Sequence, residues 1–271
     1  MKAKIDSHTH IGLEEFLAVP IPAEKLSRPA FQDPMENTID NLLACMDANG
    51  INRAITFPLP LKEINRQIAN DYVIQAARQH PERIIPFALV GDDTEHWLKQ
   101  GAVGFKQQNI LYAPERFNLF RAYHVMAEAG VPMVIHFRAG PGFAVTEQVL
   151  AILTHVPTLK IIVAHMGRHT PNTSQGVEAA LLGLRDQSNV FFETSTVRDS
   201  AAIGQALSIV GPDRVLFGSD YPFNSFQDAD PMAVEVEIIL KAGLSPDVQE
   251  MIFTKNILHV LGIAEQTHER H

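Results

Sequence analysis

Eight times along the chain a short apolar or β-branched run gives way to a longer segment of helical period, and no linker, low-complexity stretch or shift of composition breaks the alternation. The runs are Lys4 to Thr9, Arg53 to Phe57, Ile84 to Leu89, Val103 to Gln107, Met133 to Phe137, Lys160 to His165, Val190 to Thr194 and Val215 to Ser219. Several are apolar at successive positions, as in Ile161-Ile162-Val163-Ala164, the pattern of strands covered on both faces. Strands alternating with helices build a parallel sheet, and eight such units in 271 residues fit one (β/α)8 barrel. The expected fold is α/β, a single TIM-barrel domain over residues 1–263 followed by a polar tail at 264–271.

Local signals agree with this frame. Ile39, Leu42, Leu43 and Met46 form one helical stripe, closed by Gly50 where a left-handed cap is cheapest. The last helix has Ser245 as N-cap, Pro246 in its first turn, an apolar stripe of Val248, Ile252, Ile257 and Leu261, and Gly262 beyond its end. The longest irregular segment, residues 11–36, follows the first strand. Pro20, Pro22, Pro29 and Pro34 forbid one long helix there, so it reads as a loop inserted over the mouth of the barrel.

Composition removes several functions. With 31 acidic and 22 basic side chains the net charge is −9, which repels polyphosphate and argues against nucleic-acid or anionic-membrane partners. A single cysteine, Cys45, allows no intrachain disulfide and reads as a packing residue. No apolar stretch approaches the roughly 18 residues of a membrane span, and no apolar signal segment follows the first charges, so a cytoplasmic location is expected.

Active sites of such barrels sit at the carboxyl ends of the strands. Strand one ends Asp6-Ser7-His8-Thr9-His10, and the spacing of two puts both imidazoles on one side of an extended chain. His136 closes strand five, His165 closes strand six, and Phe217-Gly218-Ser219-Asp220 closes strand eight. Four histidines and a carboxylate would then converge, a donor set suited to Zn²⁺ and similar divalent ions. His80, His96, His124, His155 and His259 fall on helices or helix ends, and His268 and His271 in the tail, so none is read as catalytic; His169 remains a candidate substrate contact.

These motifs, together with Pro132-Met133-Val134-Ile135-His136, Ala164-His165-Met166-Gly167, Gly218-Ser219-Asp220-Tyr221-Pro222 and a terminal Asn256, resemble the amidohydrolase superfamily. The likeness is to its amidohydrolase-related branch, which includes the aminocarboxymuconate-semialdehyde decarboxylase-like enzymes. The resemblance implies that His8, His10, His136 and Asp220 hold one divalent ion, Zn²⁺ first, with Mn, Co or Fe as alternatives. It further implies that Asp220 and His165 are catalytic, Asp220 shuttling the proton of a metal-activated water and His165 polarising a carbonyl. Two-metal members of the superfamily carry a carboxylated lysine where this chain has Lys106; one ion is usual in the branch resembled, so the bridge is not expected. TatD-like nucleases share the opening His-x-His, but their fourth strand supplies a glutamate where Lys106 stands, and their strand-eight pattern differs.

Lys106, Arg138, Arg168 and Arg198 each follow a strand near these motifs, and a guanidinium fork matches a carboxylate. The expected substrate is a small carboxylated lactone, ester or amide, cleaved by hydrolysis. A decarboxylase of an unsaturated or aromatic acid is the alternative in reaction class, and a metal-binding barrel without activity the alternative outside enzymes. Homodimers occur among similar proteins.

Overall fold

A computed structural model describes residues 3–27, 36–108, 119–137, 144–169, 173–223 and 228–264. One curled sheet of nine strands runs in the order β2-β1-β3-β4-β5-β6-β7-β8-β9. Its strands are β1 Ile5–Leu13, β2 Glu36–Asn37, β3 Arg53–Pro58, β4 Ile84–Leu89, β5 Gly104–Gln108, β6 Met133–His136, β7 Ile161–Val163, β8 Val190–Glu193 and β9 Val215–Leu216. All neighbours pair in parallel except β1 and β2, which are antiparallel. Each of the eight runs read from the sequence contains a strand. The two-residue β2 is additional, too short to carry a period.

The strand ladder does not return from β9 to β1. The two ends meet instead through residues 217–221: the Ser7 amide donates to the Phe217 carbonyl (3.0 Å), the Asp220 amide to the His8 carbonyl (2.8 Å) and the His10 amide to the Tyr221 carbonyl (2.7 Å). Thr9 and Tyr221 form a parallel bridge. Regular strand stops at Leu216, three residues before the expected Ser219, because the chain leaves extended geometry to reach a left-handed Asp220 (φ 61°).

Alternate residues of each strand face different cores. Ile55, Phe57, Ile85, Phe87, Val134, Ile162, Phe191 and Leu216 pack with Ile257, Leu258 and Val260 of the final helix. Their neighbours Ala54, Ile84, Ala88, Met133, Ile135, Ile161, Val163 and Phe192 pack outward under the helices. Burying each large apolar side chain contributes about 1.5–3 kcal/mol, so a sheet covered on both faces is held from both.

Thr38 caps Ile39–Asn49 by accepting the Asn41 amide, and Gly50 ends that helix at φ 64°. The last helix departs from expectation. It divides into Pro246–Glu250, a π-turn Met251–Lys255, and Asn256–Leu261. Within the widened turn the Ile252 carbonyl accepts the Phe217 amide at 2.9 Å, a bond to the sheet that uniform i→i−4 pairing would claim for the helix itself.

Residues 11–36 are not wholly a loop. β1 continues through them to Leu13, Glu14–Phe16 form a 3-10 turn, and Ala23–Leu26 a short helix. Phe16 and Ile21 are buried, and Leu17 bridges to Ile64. The segment is therefore anchored in the core beside His10, whose carbonyl accepts from Asn37 Nδ2 at 2.6 Å. Pro29, Pro34 and the tail at 265–271 lie outside the described residues. No helix among the described residues is long and apolar enough to cross a membrane.

Candidate functional site

The carboxyl ends of the strands bring His8, His10, Lys106, His136, His165, Glu193 and Asp220 to one end of the sheet. The closest-knit part is a triangle of potential donors. His8 Nε2 lies 3.2 Å from His10 Nε2, and Asp220 Oδ1 lies 3.2 Å from His8 Nε2 and 3.1 Å from His10 Nε2. Two ligands bound at about 2.0–2.1 Å around a tetrahedral ion stand about 3.3 Å apart, so the residues present fit a divalent cation. His165 Nε2 is 4.0 Å from Asp220 Oδ2, and His8, His165 and Asp220 can each offer an atom within 4.8 Å of the others. His136 joins through His165, its Nδ1 3.3 Å from His165 Nε2.

Electrostatics favour the metal-binding protonation states. Burial, then the Lys106 ammonium, holds His8 well below the ordinary histidine range. His165 is also held well below it by burial and Arg168, and His10 is lowered by burial against the pull of Asp220. All three rings are therefore neutral, as ligands must be. Burial alone would raise Asp220, but His8, His10 and Lys106 outweigh it and keep the carboxylate ionised.

Hydrogen bonding assigns the lone pairs. Glu193 ends β8 fully buried, and its Oε1 takes His8 Nδ1 at 2.8 Å. A carboxylate only accepts, so the proton is on Nδ1 and His8 Nε2 faces the triangle unprotonated. Ser195 Oγ donates to the same Oε1 (2.9 Å) and lies 2.7 Å from His165 Nδ1, while the Ser195 carbonyl is 3.2 Å from that nitrogen. His165 therefore also carries its proton on Nδ1. This modifies the expectation that neutral His165 polarises a carbonyl, since its Nε2 offers a lone pair and no proton.

The remaining sequence candidates divide. Lys106 is fully buried at the middle of β5, with Nζ 3.0 Å from His8 Nε2 and 4.7 Å from the Phe57 ring centre; burial lowers its pKa to about 8. Arg168 lies one layer behind, donating through Nε and Nη2 to Thr196 Oγ1, itself 3.3 Å from His165 Nδ1. Arg198 points to carboxylates of its own chain, Nε to Glu235 (2.9 Å) and Nη2 to Asp228 (2.6 Å). His169 is exposed, with its ring against Gly176. Arg138 lies outside the described residues.

Sequence reasoning missed Glu193, Ser195 and Asp6. Glu193 closes the run Val190-Phe191-Phe192 as His136 closes its own, so the rule of polar strand ends contained the signal. Asp6 precedes the His-x-His pair, and its Oδ1 accepts the amides of His8 (2.9 Å) and Ser219 (3.0 Å). Gly218 allows the close packing here: a Cβ on it would come 2.3 Å from Glu193 Oε2 and 3.1 Å from His8 Cβ.

The family model described as Amidohydrolase matches residues 5–263. Among solved structures, the fold is similar to a 2-pyrone-4,6-dicarboxylic acid hydrolase from Pseudomonas putida (TM-score 0.75, 16% identity, 97% of this chain and 99% of that one). It is similar also to 5-carboxyvanillate decarboxylase from Sphingomonas paucimobilis (0.71, 19%, 97% and 99%). A third is a dihydroxybenzoic acid decarboxylase from a Polaromonas species with bound manganese (0.68, 19%, 97% and 97%). The chain belongs to the amidohydrolase family.

Proposed function

We propose that this amidohydrolase-family enzyme hydrolyses a small carboxylated lactone, ester or amide at a site holding one divalent ion, in a (β/α)8 barrel closed through residues 217–221. The observation that carries the reading is the triangle of His8 Nε2, His10 Nε2 and Asp220 Oδ1, whose sides are 3.1–3.2 Å. His8, His10 and Asp220 would hold the ion, with His136 and His165 beside them. Zn²⁺ suits neutral imidazoles with one carboxylate, and Mn²⁺ is the ion of the Polaromonas relative. A divalent ion held there supplies Lewis-acid polarisation and lowers the pKa of water from about 15.7 to about 7.

The chain's own groups then have distinct tasks. Asp220 is ionised and buried, so it takes up a proton and returns it to the leaving group. His165 Nε2, within 4.0 Å of Asp220 Oδ2, accepts rather than donates a proton. Lys106, whose ammonium lies against His8, supplies positive charge for a substrate carboxylate, with Arg168 behind it.

Decarboxylation is the second reading, favoured by two relatives whose names give that reaction. A panel of carboxylated lactones and aromatic or unsaturated acids, assayed for product, separates them. A ring-opened or cleaved product with no CO₂ supports hydrolysis; CO₂ release with no hydrolysed bond overturns it.

A further inference from the structure

We infer that Glu193 is a positioning residue that locks both His8 and His165 in the tautomer presenting Nε2 to the site. The carboxylate is fully buried at the end of β8 and receives four donors. Oε1 accepts His8 Nδ1 (2.8 Å), the His165 amide (2.6 Å) and Ser195 Oγ (2.9 Å); Oε2 accepts the Ser195 amide (2.8 Å). The two amides donate by nature, and the Ser195 carbonyl, 3.2 Å from His165 Nδ1, can only accept, so that nitrogen carries the proton, the hydroxyl at 2.7 Å accepts from it, and the hydroxyl's own proton goes to Glu193.

One side chain thus controls two imidazoles by different routes, directly for His8 and through Ser195 for His165. It also holds the backbone of His165, which sits at φ 56° in a turn that ends β7. Left-handed geometry is unfavourable for a non-glycine residue, and the His165 amide bond to Glu193 helps retain it. Glutamine at 193 would keep one acceptor and turn an NH₂ toward a donor, so either His8 Nδ1–H or the Ser195 amide would lose its partner. Outer carboxylates of this kind orient metal-binding histidines, and their loss lowers metal affinity by about 10–100-fold.

The metal consequence rests on the ion site proposed above; the tautomer lock does not. The experiment has two arms. In metal-free wild-type protein labelled with ¹⁵N-histidine, long-range ¹H–¹⁵N correlation spectra, assigned by loss of signals in His8→Asn and His165→Asn, read each tautomer. Both rings protonated on Nδ1 is the expected result, and an Nε2–H tautomer at His8 or His165 overturns the inference. Ser195→Ala removes the hydroxyl and keeps the Ser195 carbonyl as a second, longer acceptor for His165 Nδ1 (3.2 Å), so a measurable Nε2–H fraction should appear at His165 while His8 stays wholly Nδ1–H; an unchanged His165 overturns the hydroxyl route.

In the second arm, Zn²⁺ affinity is measured against a competing chelator. Glu193→Gln should bind 10–100-fold more weakly than wild type, and equal affinity overturns the metal role of Glu193. If Glu193→Gln does not fold, the wild-type tautomers still decide. Wild-type protein that shows both Nδ1–H tautomers but holds neither Zn²⁺ nor Mn²⁺ overturns the ion site and leaves the lock standing.

Discussion

Asp6 and Ser219, 213 positions apart, are joined by a 3.0 Å hydrogen bond from the Ser219 amide to Asp6 Oδ1. The same oxygen takes the His8 amide, so one carboxyl group ties the histidine-bearing strand to the turn that delivers Asp220. Burial pushes Asp6 up to about 7, against the hydrogen bonds from Ser219 and His8. The folded state therefore binds this proton more tightly than the unfolded chain, whose value is 3.8. Its contribution to stability is complete below the unfolded value and is lost as pH rises through the folded one. Asp6→Asn keeps the Oδ1 acceptor and has nothing to ionise. In metal-free protein, the Tm of the variant minus that of wild type should climb from pH 4 to about pH 7 and then level off. A constant difference across that window would contradict the assignment.

Metal removal should be visible as lost stability, because an ion that binds only the folded chain stabilises it by about 2.7 kcal/mol at 100 times its Kd. Chelator-treated wild type is expected to melt lower and to recover on adding Zn²⁺ or Mn²⁺. His8→Ala deletes one corner of the donor triangle, so its metal content by elemental analysis should fall at least tenfold and its Tm should ignore added ion. Equal metal in both proteins would place the ion elsewhere.

Arg198 is predicted to act on stability rather than on substrate affinity. Its guanidinium pairs with Glu235, which is 3% exposed, and with Asp228. Arg198→Met leaves Glu235 without its cation, and because burial already pushes that carboxyl up to about 7 it takes up a proton, so unfolding free energy should fall by about 1–3 kcal/mol, the cost of the lost hydrogen bonds, in urea titrations. The double variant with Glu235→Met should recover a large part of that loss, with KM within a few-fold of wild type. Wild-type stability with a strongly raised KM would return Arg198 to the substrate.

Cys45 should be a sluggish thiol. Burial, and then the Asp230 carboxylate, push its pKa up to about 12. At pH 8 the thiolate fraction is on the order of a thousandfold below that of a free thiol. The greater nucleophilicity of a more basic thiolate returns only about thirtyfold. Iodoacetamide should therefore alkylate the folded protein tens of times more slowly than the urea-unfolded chain. Comparable rates would refute the assignment.

The strands were legible because each is an apolar run bounded by polar punctuation, and Ile161-Ile162-Val163 is buried as that pattern requires. The convergence of His8, His10 and Asp220 was legible because a period of two and one rule about strand ends suffice to aim them. What stayed hidden depends on partners distant in sequence. Nothing near Arg198 announces that Asp228 and Glu235, 30 and 37 residues later, will occupy its guanidinium. The π-turn at Met251–Lys255 keeps a helical pattern while its pairing shifts to serve Phe217. The tautomer of His165 is set by Ser195, 30 positions away, through a hydroxyl whose own proton is committed to Glu193.

For protein engineering, Gly218 marks a position to leave alone. Even an alanine methyl there would intrude on Glu193 and His8 together, so random libraries aimed at new specificity would spend most of their diversity at this codon on damaged sites. Lys106 calls for similar care: its ammonium lies 3.0 Å from His8 Nε2 and pulls Glu193 down against the burial that raises it, so a neutral side chain there would act on the same glutamate.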